Sequence, residues 1–132
     1  MKILALYGIA IAIFFALDML WLGLIARNFY RQKLGFIFTG DVDWIAAVVF
    51  YLIYIGGILY FAILPGFKVE SWQTALINGA LFGFICYATY DFTNKATIAQ
   101  WPWIVVIADV IWGAALTGSV SVCTYLIGSK FY

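Results

Sequence analysis

The chain contains no histidine, which excludes imidazole catalysis and histidine-ligated metal. Charge is scarce as well. Only 10% of the side chains are charged, against about a quarter in a typical soluble domain, so a water-facing surface cannot be assembled. Cysteine is limited to Cys86 and Cys123, each inside an apolar segment. Counted along helices from one membrane face, their depths differ by about 18 Å at the helical rise, far beyond a disulfide's reach. Both read as core thiols that carry no information on compartment. The formal charge of +1 argues against nucleic acid as a partner. No metal or cofactor is expected.

What the chain has in abundance is apolar surface. With 67% hydrophobic residues in a length of 132 and a mean hydropathy of +1.06, it reads as one integral membrane domain covering 1–132. The expected fold is all-α, a bundle of four transmembrane helices at about 3–25, 44–64, 73–94 and 103–127, with an amphipathic interfacial extension after the first. Each run is long enough for a hydrocarbon core of about 30 Å. The first segment superficially resembles a signal peptide, yet it is too long and lacks a plausible cleavage site, so it is expected to remain as a helix.

Within the first helix, Asp18 shares a face with Phe14, Trp21 and Ile25 at helical spacing. That face should pack against protein rather than lipid. The stretch Ala26–Lys33 keeps a helical rhythm, with Arg27, Tyr30, Arg31 and Lys33 directed to water and Phe29 and Leu34 to lipid. Asp41 or Asp43 is a natural cap for the second helix. This helix carries phenols at Tyr51, Tyr54 and Tyr60 but no acid or base, and reads as scaffold ending at Pro65–Gly66.

The third helix holds Gly79 and Gly83, whose four-residue stripe continues to Tyr87 and Asp91. Trp101-Pro102-Trp103 opens the fourth, with proline in the tolerated first turn and both tryptophans at belt depth. Asp109 and Trp112 follow, then Gly113, Thr117 and Ser121 on a matching stripe.

Alternating spans bring three acids to one side of the bilayer. At about 1.5 Å per residue, Asp91 lies roughly 5 Å in, Asp109 roughly 9 Å and Asp18 roughly 11 Å. A buried aspartate costs about 2.5 to 3.5 kcal/mol at the bilayer centre, so local compensation is required. The available means are pairing with Arg27, Arg31 or Lys95, protonation, or hydrogen bonds from Tyr87, Tyr90, Thr93 and Asn94. A structural reading stands beside the functional one, since polar side chains also hold membrane helices together at about 1 kcal/mol each.

The segments Asp18-Met-Leu-Trp21-Leu-Gly23, Phe29-Tyr30-Arg31, Tyr87-Ala-Thr-Tyr-Asp91-Phe-Thr-Asn94 with Ala96-Thr97, and Asp109-Val-Ile-Trp112-Gly113 resemble an uncharacterised bacterial family of small predicted membrane proteins, domain of unknown function 2177. The likeness covers nearly the whole chain. It implies no established activity, substrate or catalytic residue.

The leading expectation is a shallow acidic site that binds or modifies an amphipathic or lipid-like molecule. Its ligand-binding candidates are Asp18, Trp21, Arg27, Arg31, Tyr87, Tyr90, Asp91, Asn94, Asp109 and Trp112. If chemistry occurs, the catalytic candidates are Asp18, Asp91 and Asp109 as general acid or base; no nucleophile motif sharpens the assignment. Alternatives are a proton- or cation-coupled transporter working as a homodimer, and a non-catalytic accessory subunit gripping a partner through the small-residue seams. The expected location is the inner (cytoplasmic) membrane, among membrane lipids. The Arg27/Arg31/Lys33 cluster leans the acidic face toward the cytoplasm, with both termini outside.

Overall fold

The computed structural model describes residues 2–37, 40 and 42–131. Helices account for the described elements: α1 (Lys2–Leu20), α2 (Arg27–Leu34), α3 (Trp44–Ile58), α4 (Leu64–Lys68), α5 (Trp72–Thr97) and α6 (Trp103–Gly128). Two π-helical turns, Trp21–Ile25 and Leu59–Ile63, join α1 toward α2 and α3 to α4. The result is an all-α, four-helix bundle with four membrane-length spans, Lys2–Ile25, Trp44–Lys68, Trp72–Thr97 and Trp103–Gly128.

The bundle is organised around α6. More than half of its apolar window is buried (56%), against a third or less for the other three spans. Two seams of small residues explain how closely α5 and α6 approach. A β-carbon on Gly79 would collide with Ser121, and one on Gly83 with the Gly113 carbonyl and Thr117. On α6, a β-carbon at Gly113 would strike the Tyr87 ring. The two small-residue stripes therefore pack on each other. With little hydrophobic drive between helices in lipid, such close packing is the main source of association.

Helix α1 buries a strict four-residue stripe, Leu6, Ala10, Phe14 and Asp18. The first three join Tyr54, Ile55 and Ile58 of α3 and Leu116 and Val120 of α6 in the main core. Asp18 continues the stripe as its single acid. Beyond it the register changes: the Ala26 amide donates to the Trp21 carbonyl at 2.7 Å, closing a π-turn. The wider turn rotates Ile25 outward, where it is 64% exposed, so Ile25 does not share the Asp18 face as simple helical counting expects.

The proline at 65 does not end the second span. The chain stays helical through Pro65 and Gly66 to Lys68. Proline has no N–H for the carbonyl four residues back. That carbonyl, Phe61 O, accepts from Asn78 Nδ2 of α5 at 3.2 Å, and the π-turn Leu59–Ile63 precedes the proline. Asp43 caps α3 by accepting from the Ala46 amide at 3.1 Å; Asp41 lies outside the described residues. Helix α6 starts at Trp103, with Pro102 as its N-cap rather than in its first turn.

Helix α2 is the amphipathic extension, but its apolar side meets protein. Leu34 packs with Trp101, Val105, Val106 and Val110, flanked by Phe29 and Tyr30. The expectation that Phe29 and Leu34 face lipid is corrected accordingly. Both cysteines are free thiols; Cys86 is half-buried, while Cys123 is exposed and is not a core residue.

Candidate functional site

Where α1 gives way to its π-turn, the bundle opens into a cavity of about 360 Å³. Asp18 lies on its α1 wall, Asp109 and Trp112 on α6, Tyr87 and Tyr90 on α5, and Tyr51 on α3. Trp21 and Leu22 from the π-turn, Tyr30 and Leu34 from α2, and Trp101 from the α5–α6 connection complete the lining. The Trp21 and Trp112 rings stack with centroids 4.5 Å apart and planes 9° from parallel.

A polar chain runs through this wall. The Trp21 indole donates to the Tyr30 hydroxyl at 3.2 Å, and Tyr30 donates in turn to Asp109 Oδ1. The Asp91 carboxyl stands next to that of Asp109, and the Trp101 indole donates to Asp91 Oδ1 at 3.3 Å. The Trp21 and Tyr30 bonds tie the π-turn and α2 to α6, and the Trp101 bond ties the α5–α6 connection to α5. A second link joins α3 to α1, where the Tyr51 hydroxyl donates to Asp18 Oδ2 at 3.1 Å. Deeper in the bundle Tyr54 and Thr117 share a hydrogen bond of 2.7 Å between their hydroxyls.

These bonds account for carboxyls placed among apolar side chains. Asp91 is fully buried, while Asp18 and Asp109 are 5% and 8% exposed. Buried charges and dipoles need partners; a phenol donates to Asp18 and to Asp109 and an indole to Asp91, while Asp91 Oδ2 has no hydrogen-bond partner among the described residues. Burial, and then the adjoining Asp109 carboxyl, push the Tyr30 phenol well above the usual tyrosine range, so Tyr30 remains a donor at any physiological pH.

Six of the ten expected site residues line the cavity: Asp18, Trp21, Tyr87, Tyr90, Asp109 and Trp112. Asp91 stands behind Asp109. Asn94 neighbours Tyr90 at the edge, outside the lining. Arg27 and Arg31 point to solvent and do not enter the cavity, so no cation from them compensates the acids; Lys95 instead sits 5.4 Å from the centre of the Trp103 ring. The water-facing placement of Tyr30 is corrected by its bond to Asp109; Tyr51, on the helix read as scaffold, bonds Asp18, and Trp101 is buried against Asp91. Depth arithmetic could have found Tyr51: seven residues into α3, it lies about 11 Å from the membrane face, level with Asp18. The spacing of Ala26, Tyr30 and Leu34 likewise marks an inward stripe on α2.

A family model described as "Predicted membrane protein (DUF2177)" matches residues 3–126. The chain belongs to the DUF2177 family. The match spans every element that lines the cavity, from the π-turn of the first span to α6. No curated protein and no solved structure matches the chain. For this DUF2177 member the geometry therefore carries the functional argument.

Beside the polar cavity lies a second cleft, of about 500 Å³, lined by Phe50, Tyr54, Cys86, Tyr87 and Tyr90. Its walls are almost wholly apolar. Tyr87 and Tyr90 belong to both spaces, so the two adjoin across a pair of aromatic rings.

Proposed function

We propose that this protein binds an amphipathic, lipid-like molecule, with the polar head in the carboxyl- and phenol-lined cavity and the apolar tail in the adjoining cleft. The observation that carries this reading is the shared wall of Tyr87 and Tyr90. A polar space and an apolar space that adjoin match the two halves of such a ligand, and concave sites of several hundred Å³ are of ligand size. The exposure of Phe50 and Tyr90 (each 54%) leaves the cleft open on its outer side, so a molecule from the bilayer could enter laterally. We place the protein in the inner membrane with the cavity toward the cytoplasmic face, where Arg27, Arg31 and Lys33 gather beside it.

Mass spectrometry of the protein purified in mild detergent tests this, natural sequence against Asp18→Asn. Asparagine keeps a carbonyl acceptor for Tyr51, so the fold should survive. A stoichiometric amphiphile on the natural protein that is lost from the variant supports the reading. Identical, nonspecific lipid adducts on both would refute it.

A further inference from the structure

The proposed site also has a sign. We infer that the head group it selects is a cation, an alkylamine or quaternary ammonium, and that the cavity discriminates against phosphate and other anionic heads; this deepens the amphiphile reading and rests on it.

Three features converge. First, two cavity-lining carboxyls, Asp18 and Asp109, are each more than nine-tenths buried, and among the described residues no lysine or arginine lines the cavity. Second, the phenol donors nearest to them are already committed: Tyr51 donates to Asp18 and Tyr30 to Asp109. An anionic head would thus meet two carboxyls and few free O–H groups, a juxtaposition that costs affinity. Third, the remaining walls are aromatic. Trp21, Trp112, Tyr87 and Tyr90 line the same space; Trp21 and Trp112 cover one face of each other, and the ring faces left open attract ammonium groups, more strongly when desolvated. Carboxyls with several aromatic rings form the cage expected for a weakly hydrated organic cation.

The exposed Arg27 and Arg31 do not oppose this. They lie outside the cavity lining, so the head enters a space whose own walls carry only acidic and neutral side chains.

The test uses the full chain in neutral maltoside micelles and three probes with one tail: dodecyltrimethylammonium, dodecyl phosphate and 1-dodecylglycerol. Binding is read by native mass spectrometry across a concentration series. The expected result is at least tenfold tighter saturable binding of dodecyltrimethylammonium than of dodecyl phosphate, reduced to threefold or less in Asp18→Asn. Equal binding of all three probes, or preference for the phosphate, overturns the cation assignment and leaves the amphiphile reading standing. Saturable binding of none would overturn both. Trp21→Phe, which keeps a ring but weakens the cation–π face, should lower ammonium affinity several-fold while leaving 1-dodecylglycerol unchanged; equal loss for both probes counts against the cage.

Discussion

The hydroxyl of Tyr30 donates to Asp109 Oδ1, tying the amphipathic helix α2 to the central span α6 across 79 residues of chain. This single bond turns an interfacial helix into one wall of the cavity. Leu34, buried on the same side of α2, supplies the apolar half of the attachment.

Tyr30→Phe should loosen α2 without unfolding the bundle. The ring keeps its packing, while Asp109 loses its phenol donor and the Trp21 indole its acceptor. A buried polar group left unsatisfied costs about 1–3 kcal/mol. Hydrogen exchange should rise over Arg27–Leu34 and stay unchanged over the α5–α6 seam. Uniform exchange in both regions would show that the bond does not hold α2.

The alkaline limb of stability follows from the same residue. In the fold the Tyr30 phenol is held above its ordinary value of 10.0; in the unfolded chain it ionises near that value. Above about pH 10 the native state thus holds the proton more firmly than the unfolded state, and stability falls as pH rises. Below that range the contribution is fully present. The thermal midpoint in detergent should drop more steeply between about pH 9 and pH 11 for the natural protein than for Tyr30→Phe; parallel slopes would remove Tyr30 from the account.

Asp91 should tolerate asparagine far better than alanine. Asparagine keeps the oxygen that accepts from Trp101 and places its amide NH2 beside the Asp109 carboxyl. Alanine strands the Trp101 indole and leaves a cavity. We expect Asp91→Asn to stay within about 1 kcal/mol of the natural protein and Asp91→Ala to lose about 1–3 kcal/mol, measured by thermal unfolding in one detergent.

The α5–α6 seam should be intolerant of a single methyl group. Gly83→Ala drives a β-carbon into the Gly113 carbonyl and Thr117, and overpacking of this kind costs about 1–3 kcal/mol. Gly8, whose β-carbon would meet nothing within 4 Å, is the matched control and should change stability little or raise it.

Much of this was legible in the residues because helices in a bilayer obey strong rules. Run lengths fix the spans, alternation fixes which ends share a face, and the Gly79/Gly83 and Gly113/Thr117/Ser121 stripes mark where backbones approach. Asp18, Asp91 and Asp109 stand out because an acid in hydrocarbon needs a reason. The rest depends on contacts that no periodicity announces. The π-turn at Trp21–Ile25 re-aims Trp21 onto Trp112 and turns Ile25 away, and no local signal other than Gly23 marks it. Tyr30, Tyr51 and Trp101 read as interfacial or scaffold because aromatic residues at membrane edges usually are; their partners are distant in sequence, and tertiary packing alone selects them. Arg27 and Arg31 face water as their helical positions indicate, and opposite charge alone does not bring them into the cavity lining.

The central claim is that one molecule occupies the polar cavity and the apolar cleft together. The most direct measurement is photocrosslinking with a dodecylammonium probe bearing a diazirine near the middle of its tail, mapped by peptide mass spectrometry. The account predicts labelling concentrated at Phe50, Cys86 and Tyr90, suppressed in Asp18→Asn although Asp18 lies in the head-group cavity and not in the cleft. Labels spread evenly over outward residues such as Ile45, Ile53 and Ile111, unchanged by the substitution, would contradict it.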